Sequence, residues 1–149
     1  SFHESAKGVT PRKKIRLRSY NTSDEILLEQ KTSAIEGRFK KCLPVSPCEA
    51  SAYLNSGISD QTYGNCFPIV KVEYERSYFQ FEGWRLTVDQ NIRYEKHNSY
   101  VIETEGENVL EFKLGLEWTE TPLSILDKFG LAQTRFSKYE KAVLSAGLA

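Results

Sequence analysis

The sequence predicts an α+β protein, mainly antiparallel β, with helices in the middle and near the end of the chain. Three observations support this fold class. Long segments alternate polar and apolar side chains with the period of two that is typical of strands. Turn-forming residues separate several of these segments. Two later segments instead carry apolar residues at helical spacing. With 149 residues, of which 40% are hydrophobic, the chain is long enough for one domain with a core.

The first half of the chain is predicted to open with a β-hairpin. Residues 13–20 form its first strand, a turn-forming Asn-Thr-Ser-Asp segment follows, and residues 25–32 form its second strand. The pattern of residues 34–41 is ambiguous. Residues 42–67 are rich in Pro, Ser, Gly and Asn, which predicts a long connection that holds a short helix near residues 47–55.

The second half is predicted to hold three strands and two helices. Residues 69–81 and 84–96 alternate as strands and are joined by a tight turn at 82–83, and residues 98–115 form a further strand. The helices follow the last of these strands. They are predicted over residues 121–131, which begin with Thr-Pro, and over residues 137–147, with Ser137 as the N-cap.

The first strand places three cations on one face. Side chains in a strand point alternately to opposite sides, so Lys14, Arg16 and Arg18 share a face while Ile15 and Leu17 share the other. Neighbouring like charges repel unless an anion or interleaved carboxylates lie against them. An exposed edge strand that is charged to resist aggregation explains this segment alone equally well.

Four further strands repeat this division between a charged face and an apolar face. A solvated face produces the same alternation, but arginine is well suited to gripping phosphate oxygens. The apolar faces also need more cover than two helices supply. Both features favour a closed or nearly closed sheet whose polar lumen binds an anionic chain such as polyphosphate, with carboxylates holding a divalent metal. The residues that share the polar faces are Glu29 and Lys31; Tyr74 and Arg76; Arg85, Thr87 and Asp89; Glu111 and Lys113.

Several other classes of function find no support in the sequence. The 20 basic and 20 acidic residues give a net charge of zero, which argues against general attraction to nucleic acid or membranes. Cys42, Cys48 and Cys66 lack CxxC spacing, and with His3 and His97 they form neither a zinc signature nor a disulfide framework. A cytoplasmic location is the expectation.

Six segments match a known family in order, and the resemblance covers about residues 7–143: KIRLRSYN, LLEQK, VEYERSYF, WRLTVDQNI, VLEFK and RFSKYEKAV. In this combination the chain resembles the VTC-type polyphosphate polymerase domain of the CYTH-like, triphosphate tunnel metalloenzyme superfamily. The resemblance implies a tunnel-like β-barrel with flanking helices. Residues 1–149 would form a single such domain, with the N-terminal helix and strand of the family fold expected to be missing.

The resemblance also implies an activity. Family members transfer the γ-phosphoryl group of ATP to a growing polyphosphate chain and use Mn²⁺ or Mg²⁺. The implied partners are ATP, polyphosphate, and phosphate or pyrophosphate, with no nucleic acid and no direct membrane insertion by this segment. Two alternatives stay open, a non-catalytic polyphosphate- or polyanion-binding module and an inorganic triphosphatase. The pairing of Glu111 with Lys113 favours an enzyme, because a pure anion-binding tunnel gains nothing from a carboxylate.

Roles are assigned to twelve residues, ten of them by the resemblance, and Lys14 and Glu29 by their places on the strand faces. Phosphoryl transfer depends on positioning and charge neutralisation rather than on covalent chemistry by the protein, so cations dominate the set. Glu29 has an alternative role as an ion-pair partner of Lys31, and Asp89 is expected to orient a neighbouring arginine. The assigned residues are Arg16, Arg18, Lys31, Arg76, Arg85 and Lys113 as catalytic; Lys14, Tyr74, Ser137 and Lys138 as substrate-binding; and Glu111 and Glu29 as metal ligands.

Overall fold

The computed structural model describes residues 11–81, 83–99, 102–115, 127–128 and 130–148. The described strands pair in antiparallel fashion, and two helices accompany them. This confirms a mainly antiparallel β protein. Most of the helix predicted over residues 121–131 lies outside the described residues. The chain divides into two compact units, with the boundary between Ile69 and Val70.

The first unit is built on a three-stranded sheet in the order β1-β2-β3. The predicted hairpin is confirmed as β1 and β2, and the third strand lies along the free edge of β2. A helix and a two-stranded hairpin follow the sheet. The elements of this unit are β1 (Arg12–Tyr20), β2 (Ser23–Ala34), β3 (Gly37–Val45), α1 (Pro47–Ser56), β4 (Ile58–Asp60) and β5 (Gly64–Cys66).

Strand β3 corrects the prediction for this part of the chain. The ambiguous residues 34–41 contribute the end of β2 and the start of β3, which begins at Gly37 with φ +146° and pairs along β2 as far as Val45. The long connection therefore begins after residue 45, not at residue 42. Polar side chains on both faces of β3 hide its alternation, and Pro44 is tolerated because β3 is an edge strand of this sheet.

Helix α1 confirms the short helix predicted near residues 47–55. Ser46 is its N-cap and forms a capping box with Glu49: the Glu49 amide donates to the Ser46 hydroxyl, and the Ser46 amide donates to Glu49 Oε2 at 2.8 Å. Pro47 occupies the first turn, where its missing amide is not needed. The helix ends at Gly57, whose φ of +79° suits glycine.

The second unit is built around the long central strand β7. Strand β6 pairs along one edge of β7, and β8 and β9 pair along the other. The turn between β6 and β7 includes Gly83 at φ +78°, while Glu82 lies outside the described residues. The elements of this unit are β6 (Val70–Phe81), β7 (Trp84–Lys96), β8 (Ile102–Thr104), β9 (Val109–Leu114) and α2 (Lys138–Ser145).

The single strand predicted over residues 98–115 is wrong, because residues 105–108 separate β8 from β9. Glu105, Gly106, Glu107 and Asn108 are poor strand formers. The backbone amide of Glu105 still donates to the Ile92 carbonyl at 2.9 Å, which holds the break against β7.

A β-bulge in β7 decides which side chains share a face. Glu73 pairs with Arg93 and Glu75 pairs with Gln90, so two residues of β7, Asn91 and Ile92, face one residue of β6. Asn91 has φ +51°, a left-handed conformation that Asn tolerates better than most residues. The extra residue shifts the alternation, so the buried side chains on this face of β7 are Thr87, Asp89, Ile92 and Tyr94.

Helix α2 covers the apolar half of that face. Ile92 and Tyr94 form a buried cluster with Ala142 of the helix, and Val70 and Val72 of β6 pack against it. The predicted N-cap is confirmed, because the Ser137 hydroxyl accepts from the Glu140 amide at 3.4 Å.

Within the described ranges, neither helix has the length and apolar character needed to cross a membrane.

Candidate functional site

One face of the β1-β2-β3 sheet, called the basic face below, concentrates positive charge. Residues directly opposite each other on paired strands point to the same side, and the register places Arg16 opposite Glu29, and Glu29 opposite Cys42. Cations surround this central row on all three strands. The cations of the basic face are Arg12, Lys14, Arg16 and Arg18 on β1, Lys31 on β2, and Arg38 and Lys40 on β3.

Glu29 is a buried carboxylate that contacts several cations of the basic face. Its side chain is only 2% exposed, and it accepts a hydrogen bond from Arg16 Nε and forms an ion pair with Lys40 at 2.9 Å. Arg18 lies 4.0 Å from the same carboxylate. Burial raises the pKa of Glu29, but the hydrogen bonds from Lys40 and Arg16 outweigh it and lower the pKa to about 2. Glu29 therefore stays ionised and fixes the cations around it.

The structure brings together Lys14, Arg16, Arg18, Lys31 and Glu29 on the basic face. Alternation predicted the grouping within each strand, and the β1–β2 register joins the two groups. The sequence interpretation missed Arg38 and Lys40, because the strand that carries them was not recognised. The available signal was the two-residue turn at residues 35–36 between the two strands, because polar side chains on both faces hide the alternation of β3.

The opposite face of this sheet is fixed to the rest of the first unit. Lys13 of β1 donates to Asp60 Oδ2 at 2.6 Å, and Asp60 also accepts from the backbone amides of Thr62 and Tyr63. The Lys13 hydrogen bond holds the pKa of Asp60 below its ordinary value. This buried carboxylate therefore ties β1 to the β4–β5 hairpin without facing the basic face.

A second charged surface lies on the β6-β7-β9 sheet, beyond the end of the face that α2 covers. We call it the charged half-face. The register places Arg76 opposite Asp89, Thr87 opposite both Tyr78 and Glu111, and Arg85 opposite Lys113. Lys138 joins it from the start of α2. The charged half-face consists of Arg76 and Tyr78 on β6, Arg85, Thr87 and Asp89 on β7, Glu111 and Lys113 on β9, and Lys138.

Asp89 holds two cations of the charged half-face in place. It is 1% exposed, and its Oδ2 atom accepts from Arg76 Nη2 at 2.6 Å and lies 2.5 Å from Lys138 Nζ. Burial raises the pKa of Asp89, but the hydrogen bonds from Arg76 and Lys138 hold it below its ordinary value. The predicted role of Asp89 in orienting an arginine agrees with this geometry.

Glu111 differs from the two buried carboxylates because its side chain is 45% exposed. Lys113 Nζ lies 3.3 Å from Oε1, and Arg76 Nη2 lies 3.9 Å from Oε2. In the part of the chain that the structure describes, no group of three or more His, Cys, Asp or Glu side chains is placed so that it could hold a metal ion. Mg²⁺ often binds through one or two carboxylates while substrate phosphates and water complete its shell. Glu111 fits such a site, whereas the Glu29 oxygens already face three cations.

The aromatic residue and the serine among the predicted substrate-binding residues have structural contacts. The Tyr74 ring lies close to two cations, with Arg76 Cζ 5.1 Å and Lys138 Nζ 4.9 Å from its centroid. Tyr74 also packs against the cluster under α2. Ser137 caps α2. These contacts hold the cations in position, and direct contact of Tyr74 or Ser137 with phosphate stays a prediction.

Two cations at the turn end of the charged half-face lie side by side. Arg85 and Lys113 are directly opposite each other and line a pocket of about 300 Å³ beside Gly83 and Gly115. Like charges in this position repel. The pocket is therefore suited to an anion, which would neutralise both side chains.

Comparison with known proteins yields one match. The family model described as the VTC domain matches residues 1–65 and 59–146 of the chain. Among curated proteins and among solved structures, no match is found.

Proposed function

The chain belongs to the VTC domain family, and from that premise we propose that it is a polyphosphate polymerase that transfers the γ-phosphoryl group of ATP to a growing polyphosphate chain. Membership of the family is consistent with a polyphosphate-related function and compatible with a phosphotransferase. The observation that best supports the finer proposal is the exposed carboxylate of Glu111 within a set of oriented cations.

The arginines and lysines would bind and align the phosphates. Arg16, Arg18, Arg76 and Arg85 can each make two charge-assisted hydrogen bonds to phosphate oxygens, and the lysines act as point charges. Arg16 and Arg76 are oriented in advance, because Glu29 and Asp89 accept from one side of each guanidinium. In this mechanism the terminal phosphate of the polymer is the nucleophile, and the side chains neutralise charge on the transferred group.

We assign the metal, Mn²⁺ or Mg²⁺, to Glu111. A bound divalent cation would neutralise phosphate charge as a Lewis acid. Glu29 is better suited to the ion-pair role, because Arg16, Arg18 and Lys40 surround its carboxylate. Lys40 joins the proposed phosphate-binding residues. This proposal also includes the tunnel-like barrel, the single-domain organisation, the nucleotide and polyphosphate partners and the cytoplasmic location.

The decisive experiment compares two glutamate variants of the intact protein. With Mn²⁺ or Mg²⁺, the parent protein should make long-chain polyphosphate from ATP. Glu111→Gln should lower turnover by orders of magnitude while ATP affinity without metal changes little, because the shape is kept and the metal-binding charge is removed. Glu107→Gln removes the same charge from an exposed bend between β8 and β9 and should leave turnover unchanged.

The other outcomes separate the alternatives. Release of phosphate without polymer would identify a triphosphatase. Tight binding of polyphosphate with neither product would identify a binding module. Parental turnover by Glu111→Gln would remove the metal assignment while leaving the polymerase proposal in place.

A second measurement tests the anion site without turnover. Arg76→Ala should weaken binding of tripolyphosphate by roughly 1.5–3 kcal/mol, the range for hydrogen bonds to charged groups. Calorimetry gives this value directly. Unchanged affinity would argue against phosphate binding on the charged half-face.

A further inference from the structure

Thr87 carries a buried hydroxyl that the folded protein does not use. The residue is 3% exposed, and among the residues that the structure describes its Oγ1 is the one buried side-chain polar atom without a hydrogen-bond partner. Burying an unpaired hydroxyl is unfavourable, so each such group in a folded protein calls for an explanation. Valine has nearly the same shape and would fill the position without this cost.

The position of Thr87 indicates what the hydroxyl could bind. It lies in the middle strand of the charged half-face, between Arg85 and Asp89 along β7 and directly opposite Glu111 on β9. The two cations near Glu111 lie 3.3 Å and 3.9 Å from its oxygens. Both distances exceed the 2.7–2.9 Å that is typical of charge-assisted hydrogen bonds. Glu111 is thus the cross-strand neighbour of Thr87, and its carboxylate is only loosely held.

We propose that Thr87 is a positioning residue whose hydroxyl donates to the Glu111 carboxylate when phosphate and metal bind. This inference rests on the proposed function. Phosphate oxygens compete for Arg76 and Lys113, so Glu111 loses the cations that now draw it aside. Carboxylates that bind metals are in turn held by hydrogen bonds from outer groups. Thr87 supplies such a donor from the facing strand.

Direct binding of phosphate by Thr87 agrees less well with the geometry. The exposed surface of Oγ1 is less than 1 Å², so a phosphate oxygen in solution has no path to it. The Glu111 side chain is instead attached to the adjacent strand, at the position paired with Thr87. The hydroxyl is therefore assigned to Glu111 rather than to the substrate.

The test measures Mn²⁺ binding and stability in two variants of the full chain. Thr87→Val removes the hydroxyl and Thr87→Ser keeps it. The probe is the β,γ-imido analogue of ATP, with calorimetric titration of Mn²⁺ into the saturated complex. Thr87→Val should weaken Mn²⁺ binding about tenfold or more, as loss of an outer-shell partner does, and Thr87→Ser should stay within about twofold. Affinity for the analogue without metal should be the same in all three proteins.

Thermal unfolding without ligand supplies a readout that a structural role would not give. Thr87→Val should raise the midpoint or leave it unchanged, because the variant buries no unpaired hydroxyl. A Val variant that is less stable than the parent, or one that keeps parental Mn²⁺ affinity while the parent binds analogue and metal normally, would overturn the inference and leave the proposed function standing. A parent that binds the analogue but no Mn²⁺ would overturn both the inference and the metal-dependent mechanism.

Discussion

Glu29 and Asp89 play the same physical role on two separate sheets. Each is a nearly inaccessible carboxylate that faces more than one cation, and each is held ionised by those cations. A buried ion pair of this kind contributes little to stability compared with apolar packing, since desolvation offsets the attraction. Its use lies in orientation: the guanidinium of Arg16 or Arg76 is held on one side and presents its other donors to a ligand.

Replacement of Asp89 by Asn should destabilise the second unit and disorder its cations. The neutral amide leaves Arg76 and Lys138, which are about four-fifths buried, without their counter-charge. The free energy of unfolding should fall by about 3 kcal/mol, as when one partner of a buried pair is removed, as measured by urea denaturation. Asp24→Asn removes an equal charge from an exposed site on β2 and should change stability by less than about 0.5 kcal/mol. Equal effects of the two substitutions would contradict this role for Asp89.

The low pKa of Glu29 predicts an acid-sensitive first unit. The carboxyl titrates near 4.5 when the chain is unfolded and at about 2 in the folded state. Its stabilising contribution is therefore complete above about pH 4.5 and is lost as the pH falls towards 2. Glu29→Gln should reduce the dependence of the free energy of unfolding on pH in this window by up to about 1.4 kcal/mol per pH unit, one proton's worth. Identical slopes in parent and variant, measured by urea denaturation at each pH, would show that Glu29 does not titrate in this way.

At the scale of elements, the bulge in β7 allows one sheet face to serve two purposes. Without the extra residue at Asn91, Ile92 and Tyr94 would point away from Asp89, and α2 would have no apolar surface beside the charged half-face. With it, the helix packs on Ile92 and Tyr94, and its first residue, Lys138, reaches Asp89. The side-chain amide of Asn91 also donates to Glu75 at 3.0 Å and holds the bulge against β6.

Substitutions at Asn91 should report the conformation of the bulge. Asn91→Gly keeps the left-handed backbone accessible, although it loses the contact with Glu75, and should cost less than about 1 kcal/mol. Asn91→Val should lower the free energy of unfolding by about 2 kcal/mol or more, because a β-branched residue strongly disfavours positive φ. Chemical denaturation of the two variants checks the difference. A Val variant as stable as the Gly variant would mean that the backbone of the bulge is not left-handed in solution.

The sequence predicted the regular elements well and the irregular ones poorly. The β1–β2 hairpin, α1 and the N-cap at Ser137 follow from local signals, and these predictions are confirmed. Strand β3 is stabilised by its backbone hydrogen bonds to the edge of β2. The break between β8 and β9 follows from how these two strands pair with β7. Pairings between strands leave little trace in the pattern of a single segment.

The candidate site divides in the same way. Period-two alternation placed Arg16 beside Arg18 and Glu29 beside Lys31, because that property belongs to each strand alone. The β1–β2 register then puts both groups on one face. The contact of Arg76 with Asp89 depends on the β6–β7 register, and the approach of Lys138 depends on the bulge and on the packing of α2. The unpaired hydroxyl of Thr87 depends on everything around it, so no pattern in the sequence could reveal it.

At the scale of the whole molecule, charge is segregated rather than abundant. The chain has no net charge, so it should not attract polyanions from a distance. The basic face nevertheless carries seven cations, which lie in and around the row formed by Arg16, Glu29 and Cys42. Polyphosphate binding should therefore depend on which face a cation occupies and not on the total charge of the chain.

Two adjacent lysines of β3 allow a direct test, because Lys40 lies on the basic face and Lys41 on the opposite one. Either substitution by Ala changes the net charge equally. Lys40→Ala should weaken polyphosphate binding about tenfold, the equivalent of one charged hydrogen bond. It should also reduce the slope of log affinity against log salt by about one, since one fewer phosphate is neutralised. Lys41→Ala should leave both the affinity and the slope near the parental values in calorimetric titrations over a range of salt. Equal losses in the two variants would mean that polyphosphate is held by general attraction and that the basic face is not its binding site.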